Sequence, residues 1–315
     1  MTRLAVVIVN YNSGHLLEAC LRSIEPQLGD ADRVLVIDNA SQDHSESCAD
    51  RFALCSLHKL KENTGFAAAC NFGVAQCTDC EWVLFLNPDT VVDSGFFAAI
   101  KSSLARYTAY SSFACRMMKL GQDNIVDGLG DAYHISGRPK RRYHGKTLSP
   151  GNLKVQEVFS PCGGAAVYNR AAYLQAGGFD EDYFCYIEDV DLGFRMCLLG
   201  FKCLYLPEAV VYHVGSASAG FRSEFQVYYA HRNLVWTYFK NMPVTLLWIF
   251  LPFHLMLNIY SIFLYAARGK LGTILKAKLD ACRSLPQMLG KRKGGVCKRS
   301  VSAWQLVKAL SFILK

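Results

Sequence analysis

The chain opens with short apolar runs that alternate with helix-period segments, and this alternation limits its fold more than any other feature. "LAVVIV" (4–9), "RVLVID" (33–38) and "WVLFLN" (82–87) are short and almost uniformly apolar, as strands buried on both faces must be. Between and after them, "SGHLLEACLRSI" (13–24), "GFAAACNFGVAQC" (65–77) and "SGFFAAIKSSLARY" (94–107) read as helices. A further strand is expected within "FALCSLHKL" (52–60). This order predicts right-handed βαβ units around a mostly parallel sheet, an α/β fold. Ligands of such sheets gather beyond the carboxyl ends of the strands. Three strands end there in polar residues: Asn10-Tyr11-Asn12, Asp38-Asn39 and Asn87-Pro88-Asp89. Turn chemistry alone accounts for any one of them. Three in register point to a site.

Residues 119–158 are Gly-rich and polar and read as a long loop over the sheet edge. Four cations within 138–142 could meet phosphates, but a solvated loop is the simpler account. Order returns with a strand near 165–168, a short helix, a helix that begins in "YIEDVDLGF" (186–194), and a strand over 202–206. Beyond residue 240 the texture changes. "VTLLWIFLPFHLMLNIYSIFLYAA" (244–267) has no charge over 24 residues, enough to cross a bilayer core, although Pro252, His254 and Asn258 interrupt it. From residue 268 onward there are 12 Lys/Arg and one acid, Asp280, whereas the first 267 residues carry 22 Lys/Arg and 25 Asp/Glu. The basic tail keeps an apolar stripe between its cations, which suits a helix in an anionic membrane interface and argues against nucleic acid. Residues 1–240 are thus expected to form the working domain. Residues 241–315 would supply apolar and basic amphipathic helices for membrane association. The 13 cysteines have no framework spacing and read as reduced thiols in apolar surroundings; "CTDC" (77–80) lacks a second metal-binding pair.

No GxxxxGK[ST] loop is present, and GxGxxG is missing after the first strand, where a dinucleotide fold would carry it. "VNYNSG" stands there instead; its asparagines and aromatic could hold a base by edge and face. Asp89, exposed at a strand end, could ligate a divalent cation through hard oxygen. In the acidic segment, a helix from Glu188 to the stop at Gly200 places Val190, Phe194, Cys197 and Leu198 on one apolar side. Asp191 and Arg195 then form an i, i+4 pair, and Glu188 shares their face and suits the positive helix end. Asp189 points elsewhere, beside Gly193, whose missing side chain leaves room for another group to approach. It is the acid the helix does not need.

"VVIVNYNSGHLLEACLRSI", "VLVIDNASQDHS", "ENTGFAAACNFGV", "FLNPDT" and the block from "GGAAVYNR" through "YIEDVDLGF" to "VYHVGS" together resemble glycosyltransferase family 2, in particular bacterial rhamnosyltransferase-like members that build cell-surface polysaccharide. The resemblance covers roughly residues 4–240. It implies a GT-A fold, with a Rossmann-like nucleotide-binding sheet, and transfer with inversion from a dTDP- or UDP-sugar, L-rhamnose above all. The acceptor would be a hydroxyl of a lipid-linked saccharide, at the cytosolic face of a bacterial inner membrane to which the enzyme is held peripherally or monotopically. Carried over by position, Asn10, Tyr11 and Asn12 border the nucleobase, Asp38 meets the pyrimidine or ribose, and Gly65 and Asn71 close over the nucleotide. Asn87 and Asp89 stand at the family's Asp-x-Asp motif, so that Asp89 would be the main ligand of Mg2+ or Mn2+, with His213 as a further metal or diphosphate contact. Glu188 and Asp189 align with the catalytic pair, Asp189 as general base. Asn87 in place of an acid keeps a non-catalytic sugar-nucleotide-binding or scaffold protein as the rival reading. A processive synthase would want a QxxRW motif, which is absent.

Overall fold

The computed structural model describes residues 3–214, 223–293 and 300–312. Gly215 and Ser216, which close the "VYHVGS" block, and the tail's Lys298, Arg299 and Lys315 lie outside the described residues. In chain order the first elements are β1 (Leu4–Asn10), α1 (Leu16–Ile24), β2 (Arg33–Asp38), β3 (Cys55–Lys59), α2 (Phe66–Gln76), β4 (Trp82–Leu86), β5 (Thr90–Val92) and α3 (Phe96–Arg106). Next come β6 (Ser112–Lys119), β7 (Val126–Gly128), β8 (Asp131–Tyr133), β9 (Pro139–Arg141), β10 (Gln156–Val158) and β11 (Ala165–Asn169). The chain then forms α4 (Arg170–Gln175), α5 (Glu188–Leu198), β12 (Cys203–His213), α6 (Glu224–Asn241), α7 (Val244–Ala266), α8 (Leu271–Arg283), α9 (Leu285–Lys293) and α10 (Ala303–Ala309).

The main sheet runs β10-β12-β6-β11-β4-β1-β2-β3. Its β4-β1-β2-β3 half is parallel, as the βαβ pattern predicts. The other half is mixed: β11 runs antiparallel between β4 and β6, while β12 lies parallel to β6. All seven residues of β1 are buried. Leu4, Val6 and Ile8 pack toward α1 and α3; Ala5, Val7 and Val9 pack toward α2, α4 and α5. Both faces being covered is why no polar residue alternates in this strand.

Residues 119–158 are not a solvated loop. They hold β7, β8, β9 and β10, and the β8–β9 hairpin reaches from the sheet to the C-terminal helices. Three-residue strands are too short to leave a periodic signal, so the sequence hid them. β6 and α6 also escaped the sequence reading, and β12 extends to His213 rather than ending near Leu206.

α5 is central. Leu192 and Met196 pack toward the sheet, whereas Val190, Phe194 and Leu198 pack toward Tyr238, Leu246 and Phe250 of the C-terminal helices. α6 in turn contacts α5, α8 and α9. α7 lies against this assembly through Leu246, Leu247, Phe250, His254 and Ser261. Its other face is bare: Trp248 is 66%, Met256 66% and Phe263 70% exposed. Among the described residues it is the one helix long and apolar enough to cross a membrane.

Candidate active site

A cleft of about 1190 Å³ lies beyond the carboxyl ends of β1, β2 and β4, where open α/β sheets bind their ligands. One wall comes from the first strand ends. Tyr11, Asn12, Asn39, Asp43, Asn63 and Gly65 line it. Asn10 and Asp38 stand just behind and are occupied by each other. Asn10 Nδ2 donates to Asp38 Oδ1 (2.8 Å), Ser41 Oγ (3.1 Å) and Ser45 Oγ (2.9 Å), and Ser13 Oγ donates to Asn10 Oδ1. Asp38 Oδ2 accepts from the Ser41 amide (3.1 Å). This buried knot shapes the loop that carries Asn12, whose Oδ1 accepts from the Gln42 amide (2.7 Å).

Gly65 has φ +85°, and a Cβ there would lie 2.6 Å from the Phe184 ring and carbonyl oxygen. Only glycine lets the loop before α5 close down on the start of α2. Asn71 does not line the cleft. It bonds Phe179 on both sides, Nδ2 to the carbonyl (2.9 Å) and Oδ1 from the amide (3.0 Å), and so ties α2 to the chain that leads into α5.

Asn87 and Asp89 sit in the turn between β4 and β5 and line the cleft. Behind Asp89, His213 Nε2 is 3.2 Å from Asp89 Oδ2, and its Nδ1 is 3.0 Å from Asp127 Oδ2. Burial works against a charge on this ring, but hydrogen bonds to Asp127 and Asp89 push it up to about 9. A ring whose Nδ1–H is held by a carboxylate presents Nε2 as a lone pair once it is neutral, the usual arrangement behind a metal-ligating histidine. Asp89 Oδ2 and His213 Nε2 thus fit a shared divalent cation, with Asp127 orienting the ring. His213 itself does not line the cleft, so it would reach a cation there only alongside Asp89.

Arg141 joins this wall from β9, donating Nη1 to Asp127 Oδ2 (2.9 Å). Its stem crosses Gly128, where a Cβ would lie 2.7 Å from Arg141 Cγ and Cδ. Neither Arg141 nor Asp131 of β8, which also lines the cleft, emerged as a site residue from the sequence. Their short strands and the distance in sequence hid them; the cation cluster at 138–142 was the available signal.

The opposite end of the cleft is the start of α5. Asp189 Oδ2 accepts from the Gly163 amide (2.7 Å) and Oδ1 from the Val190 amide (2.8 Å). Burial raises its carboxyl; the two amides and the Arg141 charge offset part of that rise. Oxygens of Asp131 and Asp189 and the sulfur of Cys162 lie within 4.8 Å of one another. Asp131 is raised to about 7 by burial and by the Asp189 charge, and its Oδ1 is buried without a partner among the described residues. Glu188 is 5% exposed and also lines the cleft. Burial, then the Asp189 charge, drive its carboxyl far up, and its Oε2 has no partner among the described residues. Helix-end electrostatics therefore does not explain Glu188, contrary to expectation. The space beside Gly193 is also taken: a Cβ there would lie 2.3 Å from Ser160 Cβ, so the glycine admits protein rather than a ligand.

The loop into α5 is held in an uncommon conformation. Phe184, Tyr186 and Ile187 all have positive φ, which a β-branched residue adopts only under constraint. Asn233 of α6, fully buried, supplies that constraint by donating Nδ2 to the carbonyls of Tyr183 (3.0 Å), Cys185 (3.0 Å) and Tyr186 (2.8 Å). A lone Asn inside the aromatic stretch of α6 was its only trace in the sequence.

Residues 5–176 match the family model for Glycosyl transferase family 2. An N-acetylglucosaminyl-diphospho-decaprenol L-rhamnosyltransferase of Mycobacterium tuberculosis is 29% identical over 243 residues, covering 69% of this chain and 78% of that relative. An O-antigen chain rhamnosyltransferase of Salmonella typhimurium is 26% identical over 229 residues, covering 72% and 70%. A solved mannosyltransferase from Pyrobaculum calidifontis, in complex with GDP-Man and Mn2+, shares the fold with a TM-score of 0.56 at 19% identity, covering 91% of this chain and 78% of that one.

Proposed function

Since the chain belongs to glycosyl transferase family 2 and is a glycosyltransferase of GT-A fold, we propose that it moves a sugar with inversion from a nucleotide donor to a hydroxyl of a lipid-linked glycan. The rhamnosyltransferases it resembles support L-rhamnose as the sugar moved, and dTDP-rhamnose is the donor we propose. One observation carries the reading: Asp189, with both oxygens fixed by backbone amides and its carboxyl raised by burial, opens on the same cleft as Asp89.

Tyr11, Asn12, Asn39 and Asp43 border the base and ribose end. Asp89 with His213 would hold Mg2+ or Mn2+, which when bound neutralises the donor's diphosphate. Arg141 adds a fixed positive charge on that wall. Asp189 takes the proton from the acceptor hydroxyl; the oxygen attacks the anomeric carbon, and the bond to the diphosphate breaks with its electron pair leaving on the nucleoside diphosphate. Glu188, whose carboxyl is driven up by burial and by the Asp189 charge, lines the cleft beside the base. The bare face of α7 and the cations of α8 and α9 seat the enzyme on an anionic cytosolic leaflet, α7 lying along the surface because its other face is committed to the protein core.

The test uses a dTDP- or UDP-sugar panel, Mn2+ and an alkyl-diphospho-N-acetylglucosamine acceptor, with product read by mass spectrometry. Asp189→Asn should cut transfer at least about a thousandfold while nucleotide binding persists. Wild-type turnover by that variant removes Asp189 from the base role.

A further inference from the structure

The start of α5 and the first strand of the β8–β9 hairpin bring two carboxyls to one end of the cleft, and the transfer reaction uses only one of them. Asp131 lines the cleft with Asp189 and is 5% exposed. An oxygen of each lies within 4.8 Å of the other. The backbone fixes Asp131 in that place: its amide donates to the Ser160 carbonyl (2.8 Å), and its carbonyl accepts from the Phe159 amide (3.0 Å). Just before it, Gly130 has φ +76°, and a Cβ there would lie 2.9 Å from Val158 Cγ2, so glycine is what seats β8 this close to β10.

The two acids are bonded unequally. Each oxygen of Asp189 accepts from a backbone amide, whereas Asp131 Oδ1 is buried without a partner among the described residues. Two buried carboxylates this close cannot both ionise cheaply, and the amides favour Asp189 as the first to do so. Asp131 ionises second, raised to about 7 by burial and by the Asp189 charge. Around the pair, Arg141 and Asp127 are bonded to each other, while burial pushes Glu188, Cys162, Cys203 and Tyr168 toward their neutral forms. Cys162 Sγ is near enough to make the two acids a three-ligand cation site. A thiol pushed up by burial and a carboxylate already bonded through both oxygens suit a shared proton better than a metal ion.

A pair that has lost both protons takes the first one back tightly, because uptake relieves the repulsion between the two charges. We propose that Asp131 and Asp189 work as one base that takes up a single proton, with Asp131 a positioning residue whose charge strengthens Asp189. This rests on the transfer reaction proposed above. In that reaction the acceptor O–H bond breaks and its proton passes to Asp189. The oxygen's electron pair forms the bond to the anomeric carbon, and the nucleoside diphosphate leaves with the electrons of the bond that breaks. The pair goes from two negative charges to one, and the proton later leaves to water. Asp189 alone, its anion stabilised by two amides, would be the weaker base. General-base catalysis works best when the base titrates near the operating pH, and the second carboxylate moves it there.

Single-turnover transfer against pH, on the full chain, tests the pair. The wild-type rate should fall on acidification with a midpoint at about 7, the second ionisation of the pair. In Asp131→Asn the midpoint should move about one to two units lower, and the plateau rate should drop about tenfold. A purely structural role for Asp131 would lower the rate at every pH and leave the midpoint in place; that result overturns the pair. Carbon-13 NMR of the protein labelled at its aspartate carboxyl carbons checks the coupling without turnover. The Asp131 resonance, identified by its loss in Asp131→Asn, should titrate at about 7 in the wild type and about one unit or more lower in Asp189→Asn. An Asp131 midpoint unmoved by Asp189→Asn also overturns the pair. Failure of the transfer reading would show separately, as absence of wild-type product with every donor while the NMR midpoints still shift.

Discussion

On the cleft side of α5, Glu188 and Asp189 have backbone amides and one arginine's charge for company. On the side turned to α6, Asp191 is fully buried yet accepts from Arg195 Nε (2.9 Å), Lys240 Nζ (2.9 Å), Asn241 Nδ2 (2.8 Å) and Tyr183 OH (3.0 Å). Lys240 also reaches Asp180 (2.6 Å), which Lys291 of α9 contacts as well. The outcome for the carboxyls is opposite. Burial raises Asp189 and its amides only soften the rise; burial pushes Asp191 up too, but Arg195 and Lys240 overcome it and hold the carboxyl below the usual range. Two residues of one helix turn thus differ in whether cations were built to meet them. The fold leaves the cost of ionisation uncovered at the acid we propose as the base, and covers it where Asp191 ties α5 to α6.

Exchanging the two roles by mutation should break the comparison most sharply. Asp189→Asn should lose transfer while its melting temperature falls less than that of the Asp191 variant, since it keeps one of the two backbone hydrogen bonds and removes a carboxyl that burial raises. Asp191→Asn should do the reverse. It leaves Arg195 and Lys240 buried without their anion, costing about 3–5 kcal/mol, visible as a lowered thermal midpoint in calorimetry. A variant that lost activity and stability together at both positions would show that the division between them is not real.

Acid sharpens it next. Asp191 is held low, so its stabilisation is complete above the unfolded value of about 3.9 and is lost as pH falls through the depressed one. Asp189 is held high, so its burial is unfavourable at neutral pH and becomes less so as it protonates, while the base function proposed for it would disappear. Turnover should therefore fall on acidification at a pH where the protein remains folded. A kcat profile alongside a melting profile checks this; coincident midpoints would contradict it. The smallest effect is expected from Glu188→Gln, an isostere of a carboxyl already driven toward its neutral form. The acid limb of kcat should move to lower pH by about one unit at most. A loss comparable to that of Asp189→Asn would make Glu188 a direct participant in proton transfer.

Much of the fold was legible because buried parallel strands leave a strong local trace. β1, β2 and β4 lie where continuous apolar runs place them, and α1, α2, α3 and α5 lie within a residue or three of their predicted bounds. Tyr11, Asn12, Gly65, Asn87, Asp89, Glu188 and Asp189 do converge on one cleft. Asn10, Asp38 and Asn71 are one layer back, as shaping and tying residues, because polarity at a strand end does not reveal whether the side chain faces outward or inward.

Local periodicity and composition were enough to place the βαβ half of the sheet, the long apolar helix α7 and the acidic helix. Tertiary structure alone decided how the three acids of that helix divide. Arg195 is visible four residues on, but Lys240 and Asn241 arrive from α6, Gly163 from the turn before β11, and Arg141 and Asp131 from a hairpin without periodic signal. A carboxyl's charge is set by what surrounds it in space. For Asp189 and Asp191 those surroundings lie up to 58 residues away along the chain.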